Sequence, residues 1–159
     1  MRFCGLIVVA VMLLSLSACS KDTSDIDDQR VSIENFISKQ GWENADYLGG
    51  VYRYVLNRDR NGYENALVAE TGNTVRINYT VYKFSSSSAG GVGNLIYTNN
   101  PDLQNEQEGL DPTYWLKEPL EVQLGSTPLI SGLEIGLTGA RQGDTLQLFM
   151  SSVLLFSRR

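Results

Sequence analysis

The segment 120–156, LEVQLGSTPLISGLEIGLTGARQGDTLQLFMSSVLLF, constrains the fold more than any other stretch of the chain. Leu120, Val122 and Leu124 alternate with Glu121 and Gln123, the period of two by which a strand buries one face, and Gly125 interrupts the run. After a loop, Ile130, Leu133, Leu137 and Ala140 recur at steps of three, four and three, which aligns them on one stripe of a short helix. Gln142, Gly143 and Asp144 turn the chain. Leu146, Leu148 and Met150 then alternate with Thr145, Gln147 and Phe149 in a second strand. A helix with one apolar stripe needs a sheet to cover, so the pattern predicts a strand, a crossing helix and a return strand.

Upstream, a helix is predicted from a cap at Asp28 to Gln40, with Ile33, Phe36 and Ile37 on one face and Gly41 ending it. It is expected to lie outside the main fold as a packing arm. A strand is expected over 51–57, where Tyr52, Tyr54 and Leu56 alternate with Val51, Arg53 and Val55. Another follows with Val75, Ile77, Tyr79 and Val81 on its core face. The run SSSSAGGVG at 85–93 reads as a mobile loop because Gly and Ser leave much backbone freedom to lose. A second long loop is expected over 99–113, solvated through Asp102, Glu106, Glu108 and Asp111.

A formal charge of -5 without a cluster of Lys and Arg argues against nucleic acid as a partner. At the N-terminus Arg2 precedes an apolar run too short for the roughly 20 residues that span a bilayer, in the order of a secretory signal. LSAC at 16–19 resembles the bacterial lipobox. That resemblance implies cleavage before Cys19, loss of Cys4 with the leader, and lipid on Cys19 as the membrane anchor. Two or more acyl chains would hold the chain stably, at about 0.8 kcal/mol per buried methylene. SKDTSDIDD after Cys19 reads as an acidic tether. The expected place is the cell envelope, on the outer membrane. A Lys followed by acids also looks like the surface-export signal of Bacteroidetes lipoproteins, and both the periplasmic and the surface face stay open.

The residue inventory narrows the chemistry. There is no His, and a chain beginning at Cys19 keeps no free thiol. Imidazole bases, thiol nucleophiles and the commoner transition-metal sites are therefore excluded, and no GxSxG elbow or paired acids at telling spacing appear. No cofactor or metal is expected.

The order of elements and glycines resembles the FKBP-type peptidyl-prolyl isomerase domain. In that family a strand ends in LG, here Leu124 and Gly125; a loop carries two apolar residues into a pocket, here Leu129 and Ile130; and one helix begins with Gly and an apolar residue, here Gly132 and Leu133. A GL-type helix end stands at Gly136 and Leu137, and a turn of Gly and a polar residue at Gly143 and Asp144. NYT at 78–80 stands where the family's YTG motif does, and LIYTNN at 95–100 stands near its FD motif. The resemblance implies an α+β fold, a curved antiparallel sheet wrapped on one short helix, with an extra N-terminal helix. It divides the sequence into a signal peptide 1–18, a tether 19–28, an extension 29–71 and an FKBP-like domain 72–159.

By the same resemblance the function is prolyl cis-trans isomerisation of polypeptide substrates. Tyr79, Ile130 and Phe156 would carry it, with Ile96, Tyr97, Leu120, Leu129 and Leu133 forming the substrate pocket. Tyr79 would be a wall with a hydroxyl donor, the Ile130 amide would meet a substrate carbonyl, and Leu133 would be the floor. Each of these side chains also reads as plain core.

The departures from the family imply weak activity. Ile96 and Tyr97 stand where FD is usual, so an acid is missing, and Phe156 lacks the hydroxyl of the family's pocket Tyr. The sequence reaches Arg159 ahead of the family's last strand, so an open apolar sheet edge is expected. Two other readings remain: a degenerate FKBP-like module that binds extended peptide without turnover, and a β-rich surface lipoprotein with a structural role.

Overall fold

The structure is a computed structural model that describes residues 21–126 and 128–156. The signal peptide 1–18 and Cys19 lie outside the described residues, as does the side chain of Phe156.

Four α-helices and seven strands stand among the described residues, and every strand pairing is antiparallel. The fold is α+β. In chain order they are α1 (Lys21–Lys39), β1 (Asp46–Leu48), β2 (Val51–Val55), β3 (Thr74–Ile77), β4 (Thr80–Phe84), β5 (Val92–Thr98), α2 (Pro101–Asn105), β6 (Leu120–Gln123), α3 (Ser131–Leu137), β7 (Leu146–Met150) and α4 (Ser152–Phe156). The strands form three small sheets in the orders β1-β2-β7, β3-β6 and β4-β5.

The strand, helix and return strand predicted from period alone are present as β6, α3 and β7. Val122 and Leu124 are buried while Glu121 and Gln123 are exposed, as the alternation requires. Leu137 and Ala140 are buried and Leu133 packs against the same core. The helix lies very close to the sheet. A Cβ at Gly136 would come within 2.5 Å of a Leu148 methyl, and one at Gly132 would overlap the Met150 sulfur, so both positions need glycine for close approach.

Several expectations change. The acidic stretch read as a tether is helical from Lys21, because α1 begins well before Asp28. Asp27 and Glu34 flank Arg30 one turn away on either side. Nor is α1 an appended arm. Ile33, Phe36 and Ile37 form one buried cluster with Phe149 of β7, and Phe36 packs edge-on against Phe84 of β4 at 5.5 Å. Strands on either side of the boundary expected at 71/72 share a sheet, since Val51 pairs with Met150 and Val55 with Leu146.

Strand β7 therefore has two covered faces. Phe149 meets α1 while Leu148 lies under α3, so the expected single apolar face understates it. The long strand read through Val81 breaks at 78–79, where Asn99 replaces a ladder partner. The segment 85–91 is a tight turn closed by backbone bonds from Ser85 to Gly91 and from Gly91 to Ser88, with Gly91 buried beneath Phe36 and Phe149. Segment 152–156 forms α4.

Two cores result. One joins α1 to β7 and the end of β4. The second holds Val122, Leu124, Leu129 and Leu137, with Val75, Ile77, Leu120, Leu133 and Leu146 packed around them.

Candidate functional site

The loop that brings Leu129 and Ile130 to the start of α3 is held at both ends of that helix. At the near end, the Glu134 carboxylate accepts from the Gly125 amide at 3.1 Å, tying the first turn of α3 back to the end of β6. Ile130 caps the helix, its carbonyl accepting from Leu133 and Glu134 amides at 3.0 and 3.1 Å. At the far end, Arg53 of β2 donates to the carbonyl of Thr138 at 2.8 Å and pairs with Asp46 at 3.3 Å. The guanidinium thus meets the negative end of the helix dipole, where a cation is stabilising.

The expected residues fall into two groups. Leu129 is buried, and Leu120 and Leu133 pack against the same cluster, with Ile130 half-buried beside them. Tyr79 and Tyr97 form the second group, their ring centres 5.3 Å apart and their planes 29° apart. Ile96, next along β5, is half exposed at 50%. The groups are neighbours in the fold, because Ile77 pairs with Leu120 in the β3-β6 ladder and Tyr79 follows two residues later.

Burial, and after it the neighbouring Tyr97 phenol, push the Tyr79 hydroxyl up to about 12. It is a neutral donor at ordinary pH.

Three residues missed in the sequence build this region. Asn99, 1% exposed, accepts from the Tyr79 amide at 2.7 Å and donates to the carbonyls of Ile77 and Glu118 at 3.1 Å each. Gln104, 4% exposed, donates to the carbonyls of Thr98 at 2.7 Å and Leu116 at 2.9 Å. These amides tie the segment expected to be a solvated loop to the stretch that follows it, where Trp115 stacks on Tyr97 at 5.2 Å. One signal for this was legible: Asn100 before Pro101 is a helix start, and it caps α2 by accepting from the Asp102 amide.

A separate groove of about 810 Å³ is lined by Val75 and Ile77 of β3, Leu137, Ala140 and Arg141 after α3, and Leu146 of β7. Strand β3 pairs only with β6 and β7 only with β2, so each keeps one unpaired edge in the described sheets. Tyr79, Ile130 and Leu133 do not line this groove.

No group of three or more His, Cys, Asp or Glu side chains among the described residues is arranged to hold a metal ion. No helix among them is long and apolar enough to cross a membrane. Comparison with protein-family models, with curated proteins and with solved structures gives no match.

Proposed function

We propose that this protein is a folding helper of the FKBP type, a peptidyl-prolyl cis-trans isomerase held at the outer membrane by lipid on Cys19. The observation that carries the reading is the clamped α3. Its start presents Ile130 and backs it with Leu129 and Leu133, beside the ladder end from which Tyr79 emerges.

The chemistry requires little more than such a surface. The barrier to rotation about a peptide bond is about 18 to 20 kcal/mol because rotation breaks amide resonance, and X-Pro bonds exchange unaided over tens to hundreds of seconds. In the twisted state the carbonyl loses charge separation and the prolyl nitrogen becomes amine-like. An apolar wall of Leu120, Leu129 and Leu133 disfavours the polar planar amide more than the twisted one, and a donor fixed beside it selects one geometry. No base, nucleophile or cofactor is needed, which suits a chain without His.

One feature favours the second reading, binding without turnover. The Tyr79 ring is stacked against Tyr97, and no carboxylate stands at Ile96 or Tyr97. A missing polar partner at the rotating bond costs the transition state on the order of 1 to 3 kcal/mol, or roughly ten- to a hundredfold in rate.

The test is the refolding of a protein whose slow phase is prolyl isomerisation, with the full chain in detergent micelles and its Tyr79→Ala and Ile130→Ala variants. The proposal expects the chain to accelerate that phase and both variants to lose most of the effect. Equal, uncatalysed rates in all three would remove the isomerase, and retained binding of the unfolded substrate would leave the peptide-binding module.

A further inference from the structure

We infer that the groove between β3 and the start of β7 accepts a strand: an extended stretch of another polypeptide, apolar at alternate positions, that pairs with the free edge of β3. The inference goes beyond the isomerase reading and does not rest on it, since Tyr79, Ile130 and Leu133 lie outside the groove.

The ladder shows which backbone groups are free. Leu124 donates to the Asn73 carbonyl at 3.0 Å, and the register continues with Val75 opposite Val122 and Ile77 opposite Leu120. Along an antiparallel strand the residues turn their amides and carbonyls alternately toward the partner and away from it. Val75 and Ile77 therefore face β6, while the amides and carbonyls of Thr74 and Arg76 point to the open edge, where no strand pairs with them among the described residues. The facing wall is alike. The Leu56 amide donates to the Thr145 carbonyl at 2.9 Å, so Thr145 and Gln147 face β2 and the backbone groups of Leu146 turn away from it.

The floor between these edges is apolar. Val75, Ile77 and Leu146 pack against the second core yet are only half-buried, so that core has an uncovered flank here. At the mouth stand Leu67 and Val68, 75 and 41% exposed. Their segment is fixed in place, since Val68 bridges to Arg141, the Ala69 amide donates to Ala140 at 2.7 Å and the Gln142 amide donates to Leu67 at 2.8 Å.

The free edge decides what fits. An acyl chain would cover the apolar floor but would shut the Thr74 and Arg76 backbone groups away from water without partners, and unpaired buried backbone is costly. An extended polypeptide covers the same floor and pairs with them, sending alternate side chains to the floor and to solvent. Nor does charge call for an ionic ligand. Arg76 is paired with Glu121, Arg141 with Glu64 and Asp144 with Arg60.

The experiment titrates the full chain in detergent micelles with a capped Thr-Val-Thr-Val-Thr-Val-Thr peptide, following heat of binding and, by nuclear magnetic resonance, amide exchange. The expected result is saturable binding that slows exchange at Thr74 and Arg76 by about tenfold or more, while the already paired Val75 and Ile77 change little. The same peptide with its internal amides N-methylated is more apolar but cannot donate, and should bind about tenfold more weakly. Arg76→Pro removes one edge donor and spares the β6 ladder, because proline is tolerated where a strand's N–H faces outward; it should weaken binding by a similar factor with the circular dichroism unchanged. Should that variant fail to fold, the N-methylated peptide still decides. Equal binding of the two peptides, binding that leaves Thr74 and Arg76 exchange unaltered, displacement of the peptide by palmitate, or no heat at all overturns the inference. So does slow exchange at Thr74 and Arg76 in the chain alone as a dimer, which would make the occupant a second copy. None of these results bears on prolyl isomerisation, and loss of that activity leaves this groove standing.

Discussion

Removing the Phe36 ring tests whether α1 is part of the fold or an arm laid upon it. Phe36 is 2% exposed and its ring lies 5.8 Å from Trp42, 5.5 Å from Phe84 and 5.6 Å from Phe149, so it joins the helix to β4 and β7 at once. Gly91 lies under the same ring, where a Cβ would stand 3.2 Å from it. Truncating a buried Phe to Ala costs about 3 to 5 kcal/mol, and the rigid aromatic neighbours here leave little room for the cavity to collapse. Against a total stability of about 5 to 15 kcal/mol for a domain, that is a large fraction. With a urea dependence of about 2 kcal/mol per molar, the midpoint of Phe36→Ala should fall by roughly 2 M. The assay is urea unfolding followed by both tryptophan fluorescence and circular dichroism, with Val31→Ala on the exposed side of the helix as the reference. Val31 is 46% exposed, and its truncation should stay within about 0.5 kcal/mol. If Phe36→Ala unfolds within about 1 kcal/mol of the parent in a single transition, α1 carries little of the core and the reasoning is wrong.

Gly136→Ala should destabilise by about 1 to 3 kcal/mol through overpacking against Leu148, and pairing it with Leu148→Ala should recover part of that loss in thermal unfolding. Asp144, 4% exposed and 2.6 Å from Arg60, also accepts from the Arg141 amide, so Asp144→Ala leaves a half-buried guanidinium without its carboxylate and should cost about 3 to 5 kcal/mol in the same assay. In alkali the sign follows from the raised folded-state value of Tyr79. Below its unfolded value of 10.0 the phenol is neutral in both states and stability is unaffected by it; between there and about 12 only the unfolded chain loses the proton, so stability falls as pH rises. Urea midpoints of Tyr79→Phe should decline less over that interval than those of the parent, and parallel declines would show that Tyr79 does not contribute.

Much of the second core was legible because its signals are local. Val122 and Leu124 declare a strand by period two, and Leu133, Leu137 and Ala140 declare a helix by steps of three and four, all within a short stretch. Gly132 and Gly136 had a physical meaning that only the facing strand reveals, since the contact partners Met150 and Leu148 lie beyond the next turn. The first core was half legible. The stripe of Ile33, Phe36 and Ile37 showed that the helix buries a face, but nothing local shows that the face meets Phe149, more than a hundred residues on. Likewise the pairing of β2 with β7 is long-range, and the boundary implied by the resemblance lies between these two paired strands.

The polar framework was the least visible. Asn99 and Gln104 look like ordinary loop residues, yet each satisfies backbone groups distant in sequence, and that ties a charged stretch to the segment after it, which carries Trp115. Within the site, Tyr97 was expected as a pocket residue and stands against Tyr79. Ile96 faces outward enough to be half exposed, as alternate residues of β5 must.

The most direct measurement of the central claim is the exchange between cis and trans signals of an Ala-Pro or Phe-Pro tetrapeptide, read by nuclear magnetic resonance with the full chain present in catalytic amount. The account predicts exchange faster than the uncatalysed rate, modest in size because no acid stands at Ile96 or Tyr97. Exchange at the uncatalysed rate for both peptides, with chain concentration raised until it exceeds the peptide, would contradict it.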